Sequence, residues 1–224
     1  MVFPRTPFAH LQQRSLRHSL ALLFTLFLTV PMLSWAQDVA TMMRPEAATP
    51  LASGMVATPD KTPGKDVWIS IDTDKLNLSV MQGEMPLKVF ENIAIGSNGP
   101  TLSKQRNDDK TPLGEFKITE IRPSDRFKLF MALNYPNLEH TERAYQDHRI
   151  DAGEYRSLRY DLDRGRAPSQ NTSLGGQLGI HGLGRGDLKI HETVNWTRGC
   201  IALTNEQLHE LTEFVAVGTR VVVR

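Results

Sequence analysis

Apolar and polar residues alternate along much of the chain from about Asp66 onward. Trp68-Ile69-Ser70-Ile71 reads as a strand, followed by Leu76, Leu78 and Val80 with polar residues between them, and then by Val89 to Ile95. Phe116, Ile118 and Ile121 continue the pattern after the turn signal Thr111-Pro112-Leu113-Gly114. In two places the spacing becomes helical. Asp151 caps a segment through Tyr160, and Thr204 with Gln207 makes a capping box that opens a helix with Leu208, Leu211 and Val215 on one face. Gly218 ends that helix, and Val221-Val222-Val223 predicts a last, mostly buried strand. The pattern predicts a β-rich α+β domain.

Two stretches read differently. Asn98 to Thr111 carries Lys104, Arg106, Asp108, Asp109 and Lys110, and is expected to be a solvated connection. Pro123 to Leu174, with Tyr135-Pro136-Asn137 and a charged helical patch through Arg149, is expected to be an insertion beside the sheet, forming one wall of a groove.

Upstream of Asp66 there is no periodicity of this kind. Arg5, Arg14 and Arg17 precede the apolar run Leu20 to Val30 and the small-x-small site Ser34-Trp35-Ala36, which together predict an export signal over residues 1–36. An uncleaved membrane anchor is the alternative, although the run is shorter than the about 20 apolar residues a spanning helix needs. Residues 37–65 are rich in Ala, Thr, Pro and Met and suit a flexible linker. One domain is then expected over residues 66–224, in the periplasm. Removing residues 1–36 takes away three arginines and no carboxylate, moving the formal charge from +1 (26 minus 25) to −2 (23 minus 25). That balance argues against a nucleic-acid partner.

Cys200 is the only cysteine. A lone thiol in an oxidising compartment has no disulfide partner within its chain, which leaves either a small buried hydrophobe or a nucleophile. A thiol is mostly protonated at neutral pH, so a nucleophile needs a base or a cation beside it, and a titration below the free value of about 8.5 is expected. His181 follows the apolar Leu178-Gly179-Ile180, and the carbonyl of Gly182 or a neighbour is placed to hold its tautomer. His191 is a second candidate that spacing does not separate from the first. Gly199 fits a tight turn at which amides converge on an oxyanion. A metal site from His181, His191 and Cys200 is a further reading, without a tight ligand pair.

The segment from Ile180-His181-Gly182 to Asn195-Trp196-Thr197-Arg198-Gly199-Cys200-Ile201-Ala202-Leu203-Thr204-Asn205 resembles the signature of the L,D-transpeptidase catalytic domain, also called the YkuD domain. That signature is a histidine followed, after a variable stretch, by Ser/Thr-x-Gly-Cys; here fifteen residues separate His181 from Thr197. The resemblance runs from about Asp66 to Arg224, through Ile95-Gly96, Thr111 to Phe116, Leu174-Gly175-Gly176 and Val217-Gly218-Thr219. It implies a β-sandwich with peripheral helices, with Cys200 as nucleophile, His181 as base and Gly182 holding its tautomer. It also puts Gly199 at the oxyanion turn and Trp196, Thr197, Arg198 and His191 near the substrate. Many members carry histidine where this chain has Arg198 and arginine where it has Ala202, a form similar to a proteobacterial Trp-Thr-x-Gly-Cys-Ile-Ala subgroup; Arg198 becomes the candidate carboxylate contact.

The implied reaction is acyl transfer on peptidoglycan stem peptides without metal or cofactor. An amine of a second stem or of an envelope lipoprotein accepts the acyl group, and the protein is expected to be a monomer. Water as acceptor would make the site a carboxypeptidase or amidase. A non-catalytic envelope-binding domain is the alternative from another class.

Overall fold

The computed structural model describes residues 66–224. The expected signal segment and linker lie outside the described residues. Strands β1 (Val67–Asp72), β2 (Asn77–Gln82) and β3 (Met85–Glu91) form an antiparallel meander. Ile69 and Ile71 on β1 lie opposite Val80 and Leu78 on β2, and all four are fully buried, so one face of the hairpin is an unbroken apolar layer. The alternation in the sequence records this face. Leu76, expected within a strand, instead sits in the turn at φ 50°. Asn92, at φ 57°, ends β3 sooner than the apolar run suggests, because it takes the left-handed conformation that asparagine tolerates.

Two short parallel strands, β4 (Pro100–Thr101) and β5 (Thr111–Pro112), bracket the polar loop. That loop is organised rather than merely solvated: Lys104 is buried against the Asp108 carboxylate, which also accepts from the Gln105 and Lys110 amides.

The long strand β6 (Gly114–Ser124) joins two halves of the sheet. Its first residues pair with β10 (Arg220–Val223), which lies parallel to β1 on its other side. Beyond an irregularity between Ile118 and Glu120, β6 pairs instead with β7 (Lys128–Leu133). Strand β7 in turn pairs with β8 (Gly179–Gly182), and β8 runs parallel to β9 (Ile201–Leu203). The order in this eight-stranded mixed sheet is β3-β2-β1-β10-β6-β7-β8-β9. The chain leaving β3 crosses to the far end, where Ala94 and Ala202 exchange both backbone hydrogen bonds, at 2.9 and 2.8 Å. The last exposed edge is thus covered by the continuation of the first, over a core that includes Ile93, Ile95, Phe116, Ile118, Met131 and Ile180. This is the expected β-rich α+β fold. Phe116→Ala should lower the unfolding free energy by about 3–5 kcal/mol in chemical denaturation, since the ring is fully buried and rigid strands do not close over the void.

Among the described residues, four helices accompany the sheet. α1 (Leu138–Gln146) starts at Asn137 and α2 (Ala152–Leu162) at the expected cap Asp151, and their Tyr145 and Tyr155 rings stack with centroids 4.3 Å apart. The stretch expected to be an insertion is therefore two things. Lys128 to Leu133 is an interior strand whose short apolar run offers no alternation to read. Only the part after it, with α1 and α2, lies outside the sheet. α3 (Leu188–Thr193) was not visible in the pattern, its six residues being too few to show a period. α4 (Asn205–Leu211) has the expected capping box, with Gln207 amide to Thr204 Oγ1 at 3.1 Å and Thr204 amide to Gln207 Oε1 at 3.0 Å. It stops at Thr212 rather than near Gly218, where three-residue turns replace the helical ladder.

Candidate active site

β8 delivers His181 to the interior. The ring is 2 % exposed, stacked on Phe127 at a centroid distance of 3.9 Å and edge-on to Trp196 at 5.8 Å. Its Nδ1 lies 2.8 Å from the Gly182 carbonyl oxygen. A carbonyl only accepts, so the proton is on Nδ1 and the lone pair is on Nε2. Burial pushes the ring down to about 4, helped by the charges of Arg126 and His191 and only partly opposed by the Gly182 carbonyl. The imidazole is neutral at neutral pH.

Position 182 must be glycine on packing grounds: a Cβ there would lie 2.7 Å from both Asn205 Oδ1 and the Phe127 carbonyl oxygen. Asn205, the first residue of α4, holds the following turn through both backbone groups of Gly184, each at 2.8 Å. A capped helix, a pinned turn and an oriented carbonyl thus fix the His181 tautomer in series. Asn205→Ala leaves the Gly184 amide and carbonyl unpaired and should cost about 1–3 kcal/mol of stability, read as a fall in denaturation midpoint.

Cys200 sits two residues before Ala202, the register partner of His181. Alternation puts residues 200 and 202 on one face, the face that His181 occupies on the neighbouring parallel strand. The preceding turn is built by two buried threonines. Thr197 Oγ1 donates to the Cys200 carbonyl at 2.7 Å and accepts from the Gly199 amide at 3.1 Å. Thr111 Oγ1 donates to the Gly199 carbonyl at 3.1 Å and accepts from the Gly96 amide at 2.8 Å. Gly199 has φ 119°, and a Cβ there would meet the Lys110 carbonyl at 2.5 Å. The half-buried thiol donates to the Gln177 carbonyl, with Sγ to O at 3.7 Å. Burial pushes this thiol up to about 11 against the pull of the Gly179 backbone and of Lys104. The direction is opposite to the expected depression. Thiol and imidazole both rest neutral, because burial penalises charge on each more than any nearby group offsets it.

His191 is buried in α3. Its Nδ1 accepts from Trp196 Nε1 at 3.2 Å, while its Nε2 has no hydrogen-bond partner among the described residues. It props the indole that packs edge-on against His181. With Nδ1 engaged in this way, His191 stands behind Trp196, while His181 shares the strand pair of the thiol. Both histidines are held below their ordinary value, mainly by burial. The unfolded chain therefore binds more protons below about pH 6.5, so stability should be full above that value and fall as pH drops toward about 4. Unfolding free energies measured across that window check this.

Two clefts flank these residues. One, of about 560 Å³, is lined by Arg126, Phe127, Leu183, Ile190 and Trp196 on the side of His181. The other, of about 550 Å³, lies between β6–β7 and residues 162–170 after α2, and reaches Gln177 and Leu178. The expected groove wall is therefore the C-terminal part of the presumed insertion.

The sequence model of the YkuD family, the L,D-transpeptidase catalytic domain, matches residues 66–223. This match spans well over half of the chain. The chain belongs to the L,D-transpeptidase catalytic domain family. Solved structures similar to this family member include the helical cell shape determining protein Pgp2 from Campylobacter jejuni, at 20% identity and a TM-score of 0.47, covering 70% of this chain and 47% of that one. Bd1075 of Bdellovibrio bacteriovorus is similar at 18% identity and 0.44, covering 71% and 48%. The C442S mutant of an Enterococcus faecium L,D-transpeptidase is similar at 14% and 0.42, covering 71% and 50%. The chain spans about half the length of these structures. No curated protein sequence matches it.

Among the residues singled out in this L,D-transpeptidase domain, His181 and Gly182 lie on β8 opposite Ala202 and Leu203, just after Cys200, with Trp196 against His181. Thr197, expected at the substrate, is inside the turn with its hydroxyl engaged on both sides. Gly199 does lie in a tight turn before the thiol, and its own amide donates to Thr197 Oγ1. His191 is enclosed behind Trp196 rather than exposed to the groove. Arg198 is exposed beside the thiol turn. The metal reading has no support, since no cluster of three or more potential ligands occurs among the described residues. Sequence reasoning missed Phe127 and Gln177, and gave no role to Thr111 or Asn205, which it met only within the turn signal and the signature segment. Asn205 carried a signal as the residue after the predicted cap, and Thr111 as the first residue of the turn signal.

Proposed function

We propose that this protein is a peptidoglycan L,D-transpeptidase of the cell envelope, acting from the periplasm through a cysteine thioester. The observation that supports the reading is the pairing of β8 with β9, in which His181 lies opposite Ala202, two residues after Cys200, while its Nδ1 is held by the Gly182 carbonyl.

The donor is a stem tetrapeptide, and the bond broken joins the L-centre of its third residue to the terminal D-alanine. Because both groups rest neutral, the nucleophile is not a preformed ion pair. The S–H proton passes to His181 Nε2 as Sγ bonds to the carbonyl carbon, and the imidazolium formed is steadied through Nδ1–H by the Gly182 carbonyl. Nε2–H then protonates the amine as the C–N bond breaks, releasing D-alanine and leaving the thioester. An acceptor amine attacks that thioester and loses its proton to Nε2, and the proton returns to Sγ. The sites for donor and acceptor are the two clefts flanking the pair. A second stem or an envelope lipoprotein supplies the amine.

Incubating the protein with tetrapeptide muropeptides and reading product masses tests this. Crosslinked dimers with loss of one D-alanine are expected. Tripeptide alone identifies water as the acceptor, and unchanged substrate contradicts the reading.

A further inference from the structure

The turn before the thiol has two amides in use and two open. The Thr197 amide donates to the Ile95 carbonyl at 3.1 Å and the Gly199 amide to Thr197 Oγ1 at 3.1 Å, whereas those of Arg198 and Cys200 donate to no group among the described residues. Of the open pair, the Cys200 amide belongs to the residue that carries Sγ. A nucleophile's own N–H lies beside the oxygen of the carbonyl it attacks, where negative charge collects.

The direction of that amide is set from outside the turn. In a planar trans peptide the carbonyl and the N–H point opposite ways, so the group that holds the Gly199 carbonyl also aims the Cys200 N–H. That group is Thr111 Oγ1, at 3.1 Å. Thr111 is fully buried in β5, its hydroxyl also accepts from the Gly96 amide at 2.8 Å, and its own amide donates to the Gly99 carbonyl at 2.9 Å. The Lys110 carbonyl closes the same side of the turn, where a Cβ on Gly199 would lie 2.5 Å from it. Thr197 Oγ1 holds the next carbonyl, that of Cys200, at 2.7 Å. Both carbonyls around the nucleophile are engaged, and the amide between them is left open.

We propose that Thr111 is a positioning residue for acyl transfer, which aims the Cys200 amide at the oxyanion formed when Sγ adds to a carbonyl. In that step the Sγ–C bond forms as the π pair of the C=O moves to oxygen, the Cys200 N–H donates to this oxygen, and the pair returns as the leaving group is expelled. Thr111 acts only through the Gly199–Cys200 peptide. Its use on a stem peptide rests on the acyl-transfer reading above.

Two small reagents separate this role from plain support of the fold. Iodoacetamide alkylates Cys200 by displacement at a saturated carbon, without an oxyanion, whereas p-nitrophenyl acetate acetylates it through one. In Thr111→Val, which keeps the shape and loses the hydroxyl, the rate ratio of acetylation to alkylation at Cys200 should fall about 10²-fold, the scale of one lost oxyanion donor. A displaced thiol or a loosened fold slows both reactions and leaves the ratio in place. Thr111→Ser, which keeps the hydroxyl, should recover most of the ratio. If Thr111→Val has no cooperative melting transition, Thr111→Ala takes its place with a fall of at least about tenfold, since water can then pair the Gly96 amide and the Gly199 carbonyl. A fall of less than about fivefold in the folded variant, an equal fall in Thr111→Ser, or failure of both hydroxyl-free variants to fold overturns the proposal.

With a stem tetrapeptide as donor, the folded variant should lose kcat and kcat/KM alike at unchanged KM, because the oxyanion contact exists only in the transition state. A raised KM at constant kcat would overturn the proposal. If the unaltered protein acts on no stem peptide at all, the acyl-transfer reading fails, and the ratio of the two reagents still decides the role of Thr111.

Discussion

Cys200→Ala yields a folded protein that forms no acyl-enzyme and no product. The side chain is half-buried and its only hydrogen bond is a long one from sulfur to the Gln177 carbonyl, so removing it costs little packing. The turn that carries it is held by Thr197 and Thr111 through backbone groups of residues 199 and 200, which alanine retains. A melting temperature within a few degrees of the unaltered protein is therefore expected. Turnover should fall by on the order of 10⁴-fold or more, the scale seen when a nucleophile acting as one unit with its base is deleted. Product formation at an unaltered rate would exclude covalent catalysis at this position.

The second large effect separates the two histidines. His181→Ala removes the one imidazole placed on the strand face of the thiol and should slow acylation by about 10²- to 10⁴-fold. His191→Ala leaves that imidazole in place and removes the acceptor for Trp196 Nε1, so a change of less than about tenfold in acylation, with some loss of stability, is expected. The pH dependence sharpens the contrast. With the thiol raised to about 11 and His181 lowered to about 4, alkylation of Cys200 in the free enzyme should titrate above the ordinary thiol value. Acylation by substrate, which depends on unprotonated His181, should hold its rate on the acid side until pH approaches about 4. An alkylation profile with a midpoint below that of a free thiol would mean a resting thiolate–imidazolium pair, and the proton-transfer order given above would be wrong.

Local rules made much of this architecture legible. The alternation over β1, β2 and the start of β6 marks strands with one buried face, and the Thr204–Gln207 box and the Asp151 cap mark helix starts, because in each case a side chain's fate is decided within a few residues. Strand β7 was missed for the opposite reason: its run Leu129-Phe130-Met131-Ala132-Leu133 is apolar throughout and keeps no alternation. The polar loop 98–111 was misjudged because the partner that buries Lys104 is chosen by the fold of the loop rather than by its composition. The position of the candidate pair was readable from the apolar lead into His181 and the turn at Gly199. The electrostatics were not readable, since the depression expected of a nucleophilic thiol requires a cation at hand, whereas the fold supplies enclosure. Phe127 and Gln177, which stack on the base and receive the thiol, come from positions over fifty and twenty residues away and have no local mark.

The most direct test of the central claim is intact-mass and peptide mapping of the protein quenched in acid after brief exposure to a stem tetrapeptide. The account predicts an adduct equal to the peptide less D-alanine, located on the tryptic fragment with Cys200 and lost on hydroxylamine treatment, as a thioester is. An adduct on any other residue, or product formed while Cys200 stays unmodified at every time point, would contradict it.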